Sequence, residues 1–233
     1  MKDQYVGDIN DYRKYGLLRA LKATSGLHLT VCWMLTPGDG GSDGRKLRYL
    51  SQEDLFSRYD PALFSALRNL VAVQDLRSVS AIERSGILPN TVFHSDILTD
   101  NPGERAAYFR ELDKLASGSD MVFFDPDNGL EVKSVQYGRK NSSKYLYLSE
   151  CANTFGQGKS VLVYQHFPRQ DRQSFISEVS EKLQDACKGA KVLAFTTPHV
   201  AFFLAAQPAQ WGRLQAAAGV VKERWRGEIE VSG

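Results

Sequence analysis

Short apolar runs, each stopped by a polar or proline-containing loop, recur along the chain and set its expected architecture. Residues 121–124 are apolar without interruption, as in a strand covered on both faces, and Pro126 ends the run because proline cannot donate to a β-ladder. Residues 28–36 have the β-branched and aromatic content of a central strand and stop at Pro37. Residues 91–98, which end near Asp96, and 160–169, which end in His166 and Arg169, read the same way. Between these runs the apolar positions fall at helical spacing. Residues 61–73 place Leu63, Phe64, Leu67 and Leu70 on one face, 77–86 form a shorter helix closed by its glycine, and 102–116 form an amphipathic helix capped by Asn101. Helices are also expected over 145–152, 175–187 and 210–219. Residues 191–199 and 200–206 read as a strand pair, or as a strand with a buried helix. Residues 222–231 read as a final strand, with Trp225 on one face and Lys222, Arg224 and Arg226 on the other.

This rhythm predicts one α/β domain, a three-layer α/β/α sandwich with a mainly parallel central sheet. The 233 residues, 42% hydrophobic and 24% charged, are sufficient for one substantial core. A net charge of +2 does not by itself mark a nucleic-acid binder, so such a function must rest on where charges cluster. Cys32, Cys151 and Cys187 show no paired spacing, which suits a reducing cytoplasm better than a disulfide framework or a zinc ribbon. Residues 1–11 are polar and acidic, so no signal peptide is expected. No apolar run approaches the roughly 18 residues of a membrane span.

Ligands of open α/β sheets sit beyond the carboxyl ends of the strands. Asp125, Asp127 and Asn128 follow one strand and become catalytic candidates, although Asp-Pro-Asp-Asn-Gly is also favourable turn chemistry. His166 and Arg169 follow another and are expected near a substrate. Near the start, Asp8 or Asn10 could cap a helix carrying Tyr15, Leu18 and Leu21. Capping explains one such residue but not the density of Asp8, Asn10, Asp11, Tyr12, Lys14 and Tyr15, which suits recognition and includes Asn10 as a catalytic candidate. Two basic segments could reach a phosphate backbone. One is the glycine-rich stretch 38–46, which runs into Arg45, Lys46 and Arg48; the other is 133–144, with Arg139, Lys140 and Lys144 among polar and aromatic residues.

Three enzyme classes compete for these groups. A two-metal nuclease lacks its usual acid-rich spacing with a partner lysine, and no metal site is expected. Asp125-Pro126-Asp127-Asn128 resembles the Asp-Pro-Pro-aromatic loop of AdoMet-dependent amino-methyltransferases, with 92–96 similar to their earlier acidic strand end. The second proline, the aromatic residue and a Gly-x-Gly cofactor loop are absent. A base-excising hydrolase needs no cofactor: a carboxylate, Asp125 or Asp127, stabilises an oxocarbenium-like sugar or activates water. Asn10 and Asn128 would then position base or water, Tyr12 and Tyr15 would stack on a flipped base, and His166 and Arg169 would lie near the leaving group or phosphate. The same cleft could also serve a nucleic-acid or nucleotide-binding module without turnover.

Residues 5–11, 14–19 and 124–131, together with Val163-Tyr164-Gln165-His166, resemble a widespread bacterial family over most of the chain. That family is similar to the anti-phage DNA glycosylases that remove bulky modified cytosines from viral DNA. The resemblance implies a fold similar to uracil-DNA glycosylases, duplex DNA with a flipped-out base as partner, no cofactor and a place in phage defence. The Gly-x-Asp-Pro-Tyr and His-Pro-Ser motifs of uracil-DNA glycosylases are not matched literally, so the catalytic roles do not transfer residue by residue.

Overall fold

In the computed structural model, which describes residues 1–38 and 44–233, a seven-stranded sheet lies between two helical layers. Its strands are β1 (Leu29–Cys32), β2 (Thr91–His94), β3 (Met121–Phe124), β6 (Ser160–His166), β7 (Lys191–Thr196), β8 (Val200–Ala206) and β9 (Glu230–Ser232). A small parallel pair, β4 (Gly129–Leu130) and β5 (Tyr145–Leu146), stands apart from it. The main sheet has the order β2-β1-β3-β6-β8-β7-β9. β2, β1, β3 and β6 pair in parallel; β8 then runs antiparallel to both β6 and β7, and β9 antiparallel to β7. The expected three-layer α/β/α sandwich with a mainly parallel sheet is therefore present.

The strands are apolar on both faces because each face meets helices. Trp33, Phe123, Leu162 and Phe202 pack beneath α1 (Ile9–Ser25), α3 (Pro61–Leu67), α4 (Val79–Arg84) and α8 (Trp211–Arg224). Their neighbours in the alternation, Val122, Phe124, Val163 and Phe203, pack beneath α5 (Pro102–Leu115), α6 (Leu148–Gly156) and α7 (Arg172–Ala186). A single-turn helix, α2 (Glu53–Phe56), leads into α3. Asn101 caps α5 by accepting the N–H groups of Gly103 and Glu104.

The expected strand over 222–231 is not formed. α8 continues to Arg224, with Lys222 and Arg224 in its last turn, where cations favour the carboxyl end of the helix dipole. Trp225 follows and is fully buried against α1, at a position where any side chain on Gly16 would overlap its ring. The alternation of basic and apolar residues there reflects a helix end with one inserted ring, and only Glu230–Ser232 extend as β9. Residues 200–206 resolve as strand β8 rather than a buried helix.

Candidate functional site

From β1 the chain places β2 on one side and then returns past β1 to lay β3 on the other, so the strand order reverses between β1 and β3. A crevice beyond the carboxyl ends of the strands at such a point is the usual ligand position in doubly wound sheets. Here it is a pocket of about 470 Å³, closed on one side by the amino end of α1. Asp8, Asn10, Asp11 and Lys14 line it from α1 and its cap, Asp125, Pro126, Asp127 and Asn128 from the end of β3, and Tyr164 and His166 from β6. Lys46 reaches it from a loop and Lys144 from the helical turn at 142–144, and Met1, Lys2, Tyr5 and Gly44 complete the wall.

Ion pairs fix most of its charge. Lys14 Nζ lies 2.6 Å from Asp11 Oδ1 and 2.7 Å from Asp125 Oδ2, with all three side chains almost wholly buried. Burial alone would lower the Lys14 pKa, but the two carboxylates outweigh it and hold the ammonium charged. Burial also raises Asp125, with Lys14 opposing. Asp127 Oδ1 meets the Met1 α-ammonium at 2.8 Å, while its Oδ2 accepts the Thr36 hydroxyl at 2.6 Å and lies 3.7 Å from Lys2 Nζ. Burial works against the Asp127 charge, yet the α-ammonium, Thr36 and Lys2 hold its carboxyl below the ordinary value. The same α-ammonium donates to the Met34 and Asp125 carbonyls and ties the ends of β1 and β3 together.

Asp8 does cap α1: its Oδ1 accepts the N–H groups of Asn10 at 2.8 Å and Asp11 at 3.0 Å. The capping and recognition readings of this residue are therefore compatible, since it also lines the pocket. Burial, and next the charge of Asp11, push its carboxyl up to about 6. Asn10 Oδ1 is buried with no hydrogen-bond partner among the described residues, an acceptor left over for a ligand. His166 is open on the pocket side, yet surrounding protein lowers its pKa through burial, with Asp127 opposing. Its Nε2 lies 3.2 Å from the Tyr164 hydroxyl.

The loop after β3 is held from below. Gln165 Oε1 accepts the Leu130 N–H at 2.8 Å, and its Nε2 donates to the Asn128 and His166 carbonyls at 3.3 and 2.9 Å. Gly129, at φ +112°, leaves room for that carboxamide where a Cβ would collide with it. Asn128 N–H donates to the Lys144 carbonyl, so β4 and β5 carry Lys144 to the pocket edge.

Ten of the residues expected from the sequence thus converge: Asp8, Asn10, Asp11, Lys14, Lys46, Asp125, Asp127, Asn128, Lys144 and His166. Tyr12 and Tyr15 do not, and the stacking role expected of them is corrected. Both are fully buried; Tyr12 stacks on Tyr49 and donates to the Phe56 carbonyl, and Tyr15 donates to Asp11 Oδ2 and meets Trp33 edge-on. They face the core because the apolar stripe of α1 includes them. Arg45, Arg48, Arg139, Lys140 and Arg169 are exposed outside the pocket lining, as is Asp96. Asp39 and most of the glycine-rich stretch, residues 39–43, lie outside the described residues. Sequence reasoning missed Tyr5, Tyr164, Gln165, Thr36, Lys2 and Met1. Tyr164 was within reach, since alternation along a strand that ends at His166 puts it on the same face, while Gln165 points to the opposite face and holds the loop after β3.

Fold and site together define an α/β/α protein with a charged pocket at the reversal of strand order. Among the described residues no group of three or more His, Cys, Asp or Glu side chains is arranged to hold a metal ion, and no helix is long and apolar enough to cross a membrane. No protein-family model matches the chain, and no curated protein matches it either.

Proposed function

We propose that the protein is a DNA glycosylase that hydrolyses the N-glycosidic bond of a modified base, with a role in defence against phage DNA. The observation that carries this reading is the convergence, in one pocket of about 470 Å³, of carboxylates, two carboxamides and an imidazole at the strand-order reversal. Small-molecule sites commonly span roughly 300–1,000 Å³, so a single flipped nucleotide unit is a suitable occupant. Asn10, with its unpartnered acceptor, and Asn128 read or orient the base. Tyr5 and Tyr164, which line the pocket, take the stacking place that Tyr12 and Tyr15 cannot. Lys46 and Lys144 at the pocket, with Arg45, Arg48, Arg139, Lys140 and Arg169 on exposed segments outside it, meet the DNA backbone. Three unpaired cysteines suit the reducing cytoplasm in which such an enzyme would meet phage DNA.

An amino-methyltransferase is the rival, because its Asp-Pro loop would occupy this same place beyond β3. One experiment separates the two. Duplex DNA carrying different cytosine modifications is incubated with the protein, and released bases and alkali-labile sites are counted. Release from at least one modified duplex, and none from unmodified DNA, is expected. Absence of release from every duplex, with a rise in melting temperature on adding AdoMet, would transfer the site to the methyltransferase reading; absence of both would favour a binding module.

A further inference from the structure

We infer that Asp8, rather than Asp125 or Asp127, is the carboxylate that moves protons in this pocket. The inference rests on the glycosylase reading for its reaction but on geometry for the residue. Four carboxylates line the pocket, and three of them touch a cation: Asp11 and Asp125 hold Lys14, and Asp127 holds the α-ammonium of Met1. A proton placed on any of these would break a buried ion pair and leave the cation short of a partner. Asp8 has no cation within 4 Å among the described residues. Its Oδ1 is fixed by two backbone N–H groups, and its Oδ2 has no hydrogen-bond partner among those residues. A held carboxylate with one unengaged oxygen at the pocket is the arrangement that a general base requires.

The surroundings set its proton affinity. Asp11, one turn along α1, pushes it up and Lys14 pulls it down. Across the pocket Asp125 and His166 face it from the ends of β3 and β6, and Lys46 from the loop before the helical turn at 48–51. The buried hydroxyls of Tyr15 and Tyr49, and that of Tyr164 at the pocket wall, also sense its charge. Burial dominates, and a carboxyl at about 6 is ionised at neutral pH yet basic enough to accept a proton.

In the reaction, Asp8 Oδ2 takes a proton from water as the water oxygen bonds to the anomeric carbon. The carbon–nitrogen bond breaks with its electron pair leaving on the base. The proton held by Asp8 then passes to the base nitrogen, directly or through solvent, and regenerates the carboxylate. Asp125 and Asp127 are positioning residues: one keeps Lys14 and α1 in place, and the other ties Met1, Lys2 and Thr36 to the loop.

The test combines two readouts on the full chain. In Asp8→Asn the amide oxygen still accepts the two N–H groups, since asparagine caps helices as well as aspartate does. Base release from modified duplex DNA is expected to fall by about 10²–10⁴-fold, the range of a lost general base, with a circular dichroism spectrum like that of the unsubstituted protein. Carboxyl ¹³C signals of labelled aspartate, assigned by the variant, should show Asp8 titrating between about pH 5 and 7, and kcat/KM should rise through the same interval. Release by Asp8→Asn within threefold of the unsubstituted protein, or an Asp8 signal that stays fixed over that interval, overturns the inference. If the unsubstituted protein releases no base, the glycosylase reading falls, and the ¹³C titration still decides whether Asp8 is the proton-exchanging group.

Discussion

Asp8 carries two duties that act on its charge in opposite senses. As a helix cap it is favoured when ionised, because N–H dipoles converge on it; as a buried neighbour of Asp11 it is favoured when neutral. The second effect prevails, since its carboxyl is raised from 3.8 to about 6. A folded-state value above the unfolded one means that the native state binds the proton more tightly. Stability from this group is therefore present at low pH and is lost as pH rises from about 4 through about 6. Asp127 has the opposite sign: its lowered value adds stability above the ordinary carboxylate range, which is lost as pH falls through the folded value. Asp8→Asn removes the first dependence only. At pH 8 the variant should be more stable by about 2–3 kcal/mol, from ~1.4 kcal/mol per pKa unit, and at pH 4 the gain should vanish. Urea unfolding at the two pH values measures this. A residue whose replacement stabilises the fold while abolishing activity is the signature of a functional group held against the preference of the fold.

Among the elements, the connection from β3 to α6, read from the sequence as a basic segment that could reach a phosphate backbone, is held firmly. Arg105 on α5 is fully buried; its Nε and Nη2 engage Glu150 at 2.6 and 2.8 Å, and it donates to the Ser142 and Tyr145 carbonyls. Asp100 accepts the N–H groups of Asn141 and Ser143. These contacts fix the segment that presents Lys144 beside Asn128. Arg105→Ala leaves Glu150 without its cation, with a cost of about 3–5 kcal/mol. Amide exchange at 141–147 should quicken well before exchange in β3 and β6 does, which mass spectrometry on peptic fragments would resolve. The sequence made the strand tips legible, since apolar runs that stop at Pro126 and before His166 follow from the two-face burial of a parallel sheet. It could not make Arg105 legible as a clamp, because a lone arginine on an amphipathic helix reads as solvated until its acceptors, 37 to 45 residues later, are brought to it. Tyr12 and Tyr15 were misread for a related reason: a tyrosine suits a cleft or a core equally, and the ring that buries Tyr12, Trp225, comes from the far end of the chain.

For the whole molecule, the helix that brings Asp8, Asn10, Asp11 and Lys14 to the pocket is locked by elements remote in sequence. α1 packs along α8, Trp225 fills the space left by Gly16, and Arg13 pairs with Glu228. Gly16→Ala would drive a methyl group into the Trp225 ring, and overpacking of this kind costs about 1–3 kcal/mol. Thermal unfolding should show the loss, and Gly16→Ala combined with Trp225→Leu should recover part of it. The short apolar runs of β1, β3 and β6, separated by stretches of helical spacing, made the layered architecture readable, but the α1–α8 contact was hidden because residues 222–231 carry a pattern that a strand would also satisfy. The Arg13, Gly16 and Trp225 interlock also sets an order of events during synthesis. The β3 and β6 tips can pair before residues 211–228 have left the exit tunnel, whereas α1, made earlier, lacks its α8 packing partner until they have. Nascent chains stalled before that point would carry every residue of the pocket and still lack a seated wall.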